Sequence, residues 1–293
     1  MPARYRIAAV ACTLALWFPA ARAVASEPAL DPQRVSWREL AYRARKMGLS
    51  AAIVVRLDAP RGAGDGAGPT AEAGELLLES TTDLPRRVIR ARERIAAADA
   101  RAVRIVDTET GAKYHRKTYT LMQRGFMLDL LVPASAAEAS LPPERWTRES
   151  RTFSAYPSAL APGSAVTGPV GLIYAASAAS LTSPGDAMTV LVLVQTNVER
   201  VTLRVAGTET AAVNFSELRD GGEREVRGTV QALRLVASSQ PVDPEATSAF
   251  RIFGLGGDVE LLWDPVRRLP LEIAGSVKIL GRVKVDLVSA TLR

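Results

Sequence analysis

Residues 168–186 read GPVGLIYAASAASLTSPGD, one short apolar helix in a chain otherwise written in strands. Gly168 and Pro169 suit the cap and first-turn positions. Over an expected helix at 169–181, Val170, Ile173, Tyr174, Ser177 and Leu181 fall on one arc at about 100° per residue. The flanks are Ala175, Ala176, Ala178 and Ala179, small enough to let a helix lie close against a sheet. Pro184-Gly185-Asp186 stops it and turns the chain into the next strand. The residues leave two readings open. The helix is either a plug packed on one apolar face of a curved sheet or a lid over a lipid-sized cavity.

Strand patterns lie on both sides. Downstream, MTVLVLV (188–194) is continuously apolar, as expected of a strand buried on both faces. ERVTLRVAG (199–207) alternates, with Val201, Leu203 and Val205 on one face. Residues 224–237 and VELLW (259–263) follow. LPLEIAGSVKI (269–279) puts Leu269, Leu271, Ile273, Val277 and Ile279 on one side, and RVKVDLVSATL (282–292) ends the series. Upstream, AAIVVRL (51–57), ELLLESTT (75–82), VIRARERI (88–95), AVRIV (102–106), KYHRKTYTLM (113–122) and GFMLDLLV (125–132) read as strands, with a turn expected at Asp107–Gly111. The stretch SWRELAYRARKMG (36–48) fits either a helix opened by a Ser36/Glu39 capping box or a strand from Leu40. A Gly-rich loop follows Ala59. It lacks both the spacing and the lysine of a phosphate-binding loop, so a flexible hairpin connection is expected. Residues 133–167 are a Pro- and Ser-rich connector holding Trp146, Phe153 and Tyr156. Many short strands joined by turns imply an all-β, mainly antiparallel architecture: a curved sheet or partly open barrel with one short helix.

The N-terminus has the layout of a secretory signal peptide. Arg4 and Arg6 precede an apolar run from Ile7 to Phe18, and small residues at 21–25 offer cleavage after Ala23 or Ala25. The run is too short to span a bilayer, which takes about 20 residues. The expected organisation is a signal peptide at 1–25 and a single β-rich periplasmic domain at 26–293. Cys12, the only cysteine, sits inside the apolar run, so the cleaved chain has neither disulfides nor thiolate chemistry. The formal charge of +6 falls to +3 once Arg4, Arg6 and Arg22 are removed. With export, so mild a balance argues against a nucleic-acid partner. A membrane β-barrel needs aromatic girdles, but aromatics are 5% of the chain, and Lys284 and Asp286 occupy one face of the last strand.

Several of these segments together resemble an exported bacterial family known as domain of unknown function 3108. They are LIYAASAASLTSPGDAMTVLVLV (172–194), VTLRVAGTET (201–210), the C-terminal run DVELLWDPVRRLPLEIAGSVKILGRVKVDLVSATL (258–292) and the opening ELAYRARKMGLSAAIVVRL (39–57). The matching positions are Tyr174, Leu181, Pro184, Gly185, Asp186, Val205, Gly207 and Glu209, with one residue inserted before Pro184. The resemblance implies a secreted, curved antiparallel β fold, and a strand rather than a helix at 40–47. It carries no established activity and no catalytic residues.

Little catalytic chemistry is available. His115 is the one histidine, so usual zinc and copper centres cannot be assembled. No G-x-S-x-G elbow accompanies it, and no EF-hand calcium loop is present. No metal or other cofactor is expected, and the reading leans away from an enzyme. The uneven feature is charge. From Arg86 to Arg124 there are eleven Lys and Arg against four Asp and Glu. Arg90, Arg92 and Arg94 alternate along one strand and so project from one face. Arg104 and Arg116, on following strands, are expected to extend this into an anion-attracting patch. The competing reading is a solvated sheet face that resists edge pairing. The expected function is therefore non-enzymatic binding of an amphipathic or anionic envelope component: lipid, lipopolysaccharide or acidic glycan. The alternative is a structural or adaptor module in an envelope protein assembly.

Overall fold

The computed structural model describes residues 30–58 and 74–293. The signal-peptide reading, Cys12 and the loop at 59–73 lie outside the described residues. Fifteen strands form one sheet: β1 Trp37–Lys46, β2 Leu49–Asp58, β3 Glu75–Leu84, β4 Arg87–Ala96, β5 Ala102–Gly111, β6 His115–Met122, β7 Gly125–Val132, β8 Arg148–Ala155, β9 Val166–Thr167, β10 Ala187–Val194, β11 Asn197–Arg219, β12 Gly222–Pro241, β13 Gly256–Asp264, β14 Leu269–Val277 and β15 Gly281–Leu292. Helix α1 spans Ala136–Ala139 and α2 spans Gly171–Ala178. The strand order is β8-β7-β6-β5-β4-β3-β2-β1-β15-β14-β13-β12-β11-β10-β9. All pairings along it are antiparallel except β9 with β10. The fold is thus the curved, mainly antiparallel all-β sheet expected from the strand spacing, and β1 is a strand.

Curvature has an identifiable source. β11 and β12 form one long hairpin whose register slips between Val205 and Gly207, a bulge that bends the ribbon. Beyond it the hairpin curls back until Ser216, Glu217 and Leu218 pair in parallel with Ser289, Ala290 and Thr291 of β15. This closes a ring of β11 to β15, while β1 to β8 extend from it as a meander. The hairpin tip is pinned by charge. Arg267 donates to Glu217 at 2.6 Å and to Asp264 at 2.9 Å, and its guanidinium stacks 5.8 Å over Phe215. Side chains on the inner face, among them Trp37, Leu40, Val55, Leu78, Ile95, Leu203, Leu235, Leu261, Trp263 and Ile273, join α2 in one buried core.

Several sequence expectations are corrected. Asp107–Gly111 is not a turn but the second half of β5. Its β-branched Thr108 and Thr110 face outward, while Asp107 and Glu109 face inward opposite Lys117 and His115. The turn begins at Gly111, whose φ is +102°. β11 runs twelve residues past the expected end, because Ala211, Val213 and Phe215 continue the buried alternation. The 133–167 connector contains β8, a sheet edge, besides α1 and β9. In β10, Thr189 and Leu191 are half-buried, so only its second half is covered on both faces. Ile279 lies beyond the end of β14 in a turn, exposed rather than aligned with Leu269, Leu271 and Ile273.

Candidate functional site

The register decides where the five arginines go. Arg92 of β4 stands opposite Glu79 of β3 and Val106 of β5, and Arg94 opposite Arg104. Arg90 faces Thr108, which faces Arg116 of β6. Residues opposite one another across an antiparallel pair share a face. Arg90, Arg92, Arg94, Arg104 and Arg116 therefore all project from the outer, convex side. Most are not free there. Arg92 pairs with Glu79 at 2.5 Å, Arg94 with Glu75 at 2.6 Å and Arg116 with Glu144 at 3.0 Å. Glu39–Arg56 at 2.5 Å continues the row, so Glu39, Arg56, Glu79 and Arg92 alternate in sign across β1 to β4. Arg90 and Arg104 have no ion-pair partner among the described residues. On the row through Arg104, β6, β7 and β8 add Thr120, Met127 and the exposed Phe153.

The inner face was read less fully from the sequence. The residues between the arginines, Ala91, Glu93 and Ile95, point inward, and Glu93 is completely buried. Its carboxylate accepts from the amide of Val170 at 2.9 Å and of Gly171 at 2.8 Å. A helix N-terminus presents such unpaired amides and partial positive charge, so an anion buried there is compensated. Glycine is needed for the approach, because a Cβ at Gly168 would overlap the Glu93 carboxylate and one at Gly171 would overlap Thr167. Burial pushes the Glu93 carboxyl up to about 7, against the lowering effect of the Val170 and Gly171 amides.

The other end of α2 meets a cation. Arg268 donates from Nε to the Ser177 carbonyl at 2.9 Å and from its terminal nitrogen to the Ala179 carbonyl. Between the ends, Trp37 Nε1 donates to Ser177 Oγ at 2.9 Å, and the Tyr174 hydroxyl donates to the Ala97 carbonyl at 2.6 Å. These clamps explain why the helix occupies 171–178 rather than the expected 169–181. Glu93 takes the first amides, so Val170 becomes the cap. Arg268 takes carbonyls at the other end, and Ala179 leaves in an extended conformation. Val170, Ile173, Tyr174 and Leu181 are all buried, as are all eight helix residues. A helix covered all round has no polar face, so the single arc expected from spacing is not a boundary between core and water.

Beyond α2 the inner face of β4 to β6 turns polar. Arg87 donates to Glu109 at 2.8 Å, and Lys117 stands opposite Asp107. Burial raises the Asp107 carboxyl to about 6, with Lys117 opposing. His115 is half-buried opposite Glu109. Burial and the neighbouring Lys117 lower its pKa, favouring the neutral imidazole. Among the described residues no group of three or more His, Cys, Asp and Glu could hold a metal ion, and no helix is long and apolar enough to cross a membrane.

No protein-family model matches the chain, and neither curated proteins nor solved structures yield a significant match.

Proposed function

We propose that this is an exported, non-enzymatic periplasmic protein that binds anionic or amphipathic envelope molecules on the outer face of β4 to β6. Phospholipid headgroups, lipopolysaccharide and acidic glycans share the required chemistry, phosphate or carboxylate groups that match guanidinium forks. The observation that carries the reading is the common orientation of five arginines, two of which, Arg90 and Arg104, carry no ion pair among the described residues. Phe153 and Met127 on the same side supply apolar contact for an amphiphile. The alternating charges of Glu39, Arg56, Glu79 and Arg92 suit water rather than hydrocarbon, which supports a peripheral protein. The apolar part of the inner face, where a β sheet of this shape would hold a small amphiphile, is occupied by α2. That favours a surface ligand and supports a binding role over catalysis.

The test is titration with lipopolysaccharide or dextran sulfate at 0.01 M salt. Binding is expected to fade by 0.1 M as the Debye length shrinks from about 30 Å to about 10 Å. Arg90→Ser with Arg104→Ser should remove most of it with folding intact. Glu75→Gln with Glu79→Gln should strengthen it by releasing Arg94 and Arg92. Equal binding by parent and double serine variant contradicts the reading. If the parent ignores both ligands at low salt, the adaptor role gains, favoured by β8. This edge strand is exposed along its length and pairs only with β7 among the described residues, leaving one side open to strand addition.

A further inference from the structure

The hairpin turns at one end of the sheet form a row that the outer-face reading does not use. The connections β5–β6 (111–114), β3–β4 (84–87), β1–β2 (46–49) and β14–β15 (277–281) succeed one another along the strand order. Their registers bring them to one level. Lys46 faces Leu49, Leu84 faces Arg87, Arg87 faces Gly111, and Val277 faces Gly281. Successive tips are two strands apart, about 10 Å, so the row is about 30 Å long. Lys46 Nζ donates to the Arg282 carbonyl and ties two neighbouring turns together.

Composition sets this row apart. Ile279 is 91% exposed, Met47 80%, Leu49 47% and Tyr114 37%. Single exposed apolar residues are ordinary, but here three of four consecutive tips carry them. Every tip also has a cation (Lys278, Lys46, Arg86, Lys113), and none of the four holds Asp or Glu; Arg87, beside Arg86, is held by Glu109 on the inner face. Among the described residues at the opposite end, the exposed Met122 and Val266 belong to turns well separated in the strand order.

Met47 supplies an independent observation. With Gly48 it forms a two-residue turn in which both residues have positive φ, +52° and +77°. That turn favours Asn-Gly, and a large unbranched side chain there costs conformational energy. The strain places a bare thioether at the tip. Beside the turn, on the outer face, an open recess is lined by Arg43 and Arg45 on one side and by Asp83, Leu84 and Pro85 on the other.

We infer that this rim docks the protein on an anionic lipid surface. Met47, Leu49 and Ile279 enter the headgroup layer, and Lys278, Arg86 and Lys113 face lipid phosphates. Apolar insertion and basic attraction together are what a reversible interfacial contact requires. The turn tips that carry Met47, Leu49 and Ile279 lie at the strand ends, away from Arg90 and Arg104, and their apolar insertion does not depend on those two arginines.

The experiment is flotation of the full chain with phosphatidylglycerol–phosphatidylethanolamine vesicles and with phosphatidylcholine vesicles at 0.1 M salt. The anionic vesicles should carry the protein and the neutral ones should not. Met47→Asp with Ile279→Asp should weaken binding about tenfold or more. Met47→Asn should weaken it while raising the melting temperature, because Asn relieves the turn. At 0.1 M salt, where attraction to the outer face has faded, Arg90→Ser with Arg104→Ser should reduce flotation much less than the double aspartate change. Failure of the parent to float with anionic vesicles, undiminished flotation of the double aspartate variant, or loss confined to the double serine variant would each overturn the inference.

Discussion

Glu93 and Glu217 are both nearly inaccessible carboxylates, yet their environments drive them in opposite directions. Burial raises Glu93 to about 7. The folded state therefore keeps a proton there that the unfolded chain releases near 4.5. Stability from this group is full below that value and is lost as pH rises towards 7. The shift corresponds to about 3 kcal/mol at 1.36 kcal/mol per unit, and Asp107, raised to about 6, adds the same sign. At Glu217 burial also opposes ionisation, but hydrogen bonds from Arg267 and Arg219 outweigh it and hold the carboxyl below its usual range. Its contribution is present above the unfolded pKa and lost at lower pH. Between pH 5 and 8 the Glu93 effect should dominate, so the protein should be more stable at 5. Urea unfolding of Glu93→Gln should show a flatter pH dependence over that interval. An unchanged slope would mean that Glu93 does not titrate there.

At the scale of elements, α2 is core. Leu181, just past its end, is 1% exposed. Leu181→Ala should cost about 2–5 kcal/mol in denaturant unfolding, the range for a buried leucine. A loss within about 0.5 kcal/mol would place the segment at a mobile surface. The existence of this helix was legible in 168–186, because the apolar run and its bounding prolines are local signals. Its length was not, since Glu93 and Arg268 set the ends from distant strands. The alternation in 88–95 was legible and placed Arg90, Arg92 and Arg94 on one face. The same alternation commits Glu93 to the other face, but nothing in spacing reveals that its partners are amides after Gly168. Asp107–Gly111 has turn composition, and its strand conformation depends on inward partners Lys117 and Arg87 that local sequence does not display. The neutralisation of Arg92, Arg94 and Arg116 depends on register with Glu79 and Glu75 and on a loop carrying Glu144. Composition counted these cations without showing that they are spent in pairs.

At the scale of the whole molecule, a sheet bent at the Val205–Gly207 bulge wraps a helix clamped by a carboxylate at one end and a guanidinium at the other. The apolar interior is taken up by that helix, and the two proposed contacts fall on the convex face and the strand-end rim. Hydrogen exchange with and without anionic vesicles tests this division of inside from outside most directly. The amides of Leu172 to Ala179 should exchange only at the rate of global unfolding in both conditions, and new protection on vesicles should appear at 46–49 and 277–281. Fast exchange in the helix, or its release when vesicles are added, would contradict the account and make α2 a lid over an interior site.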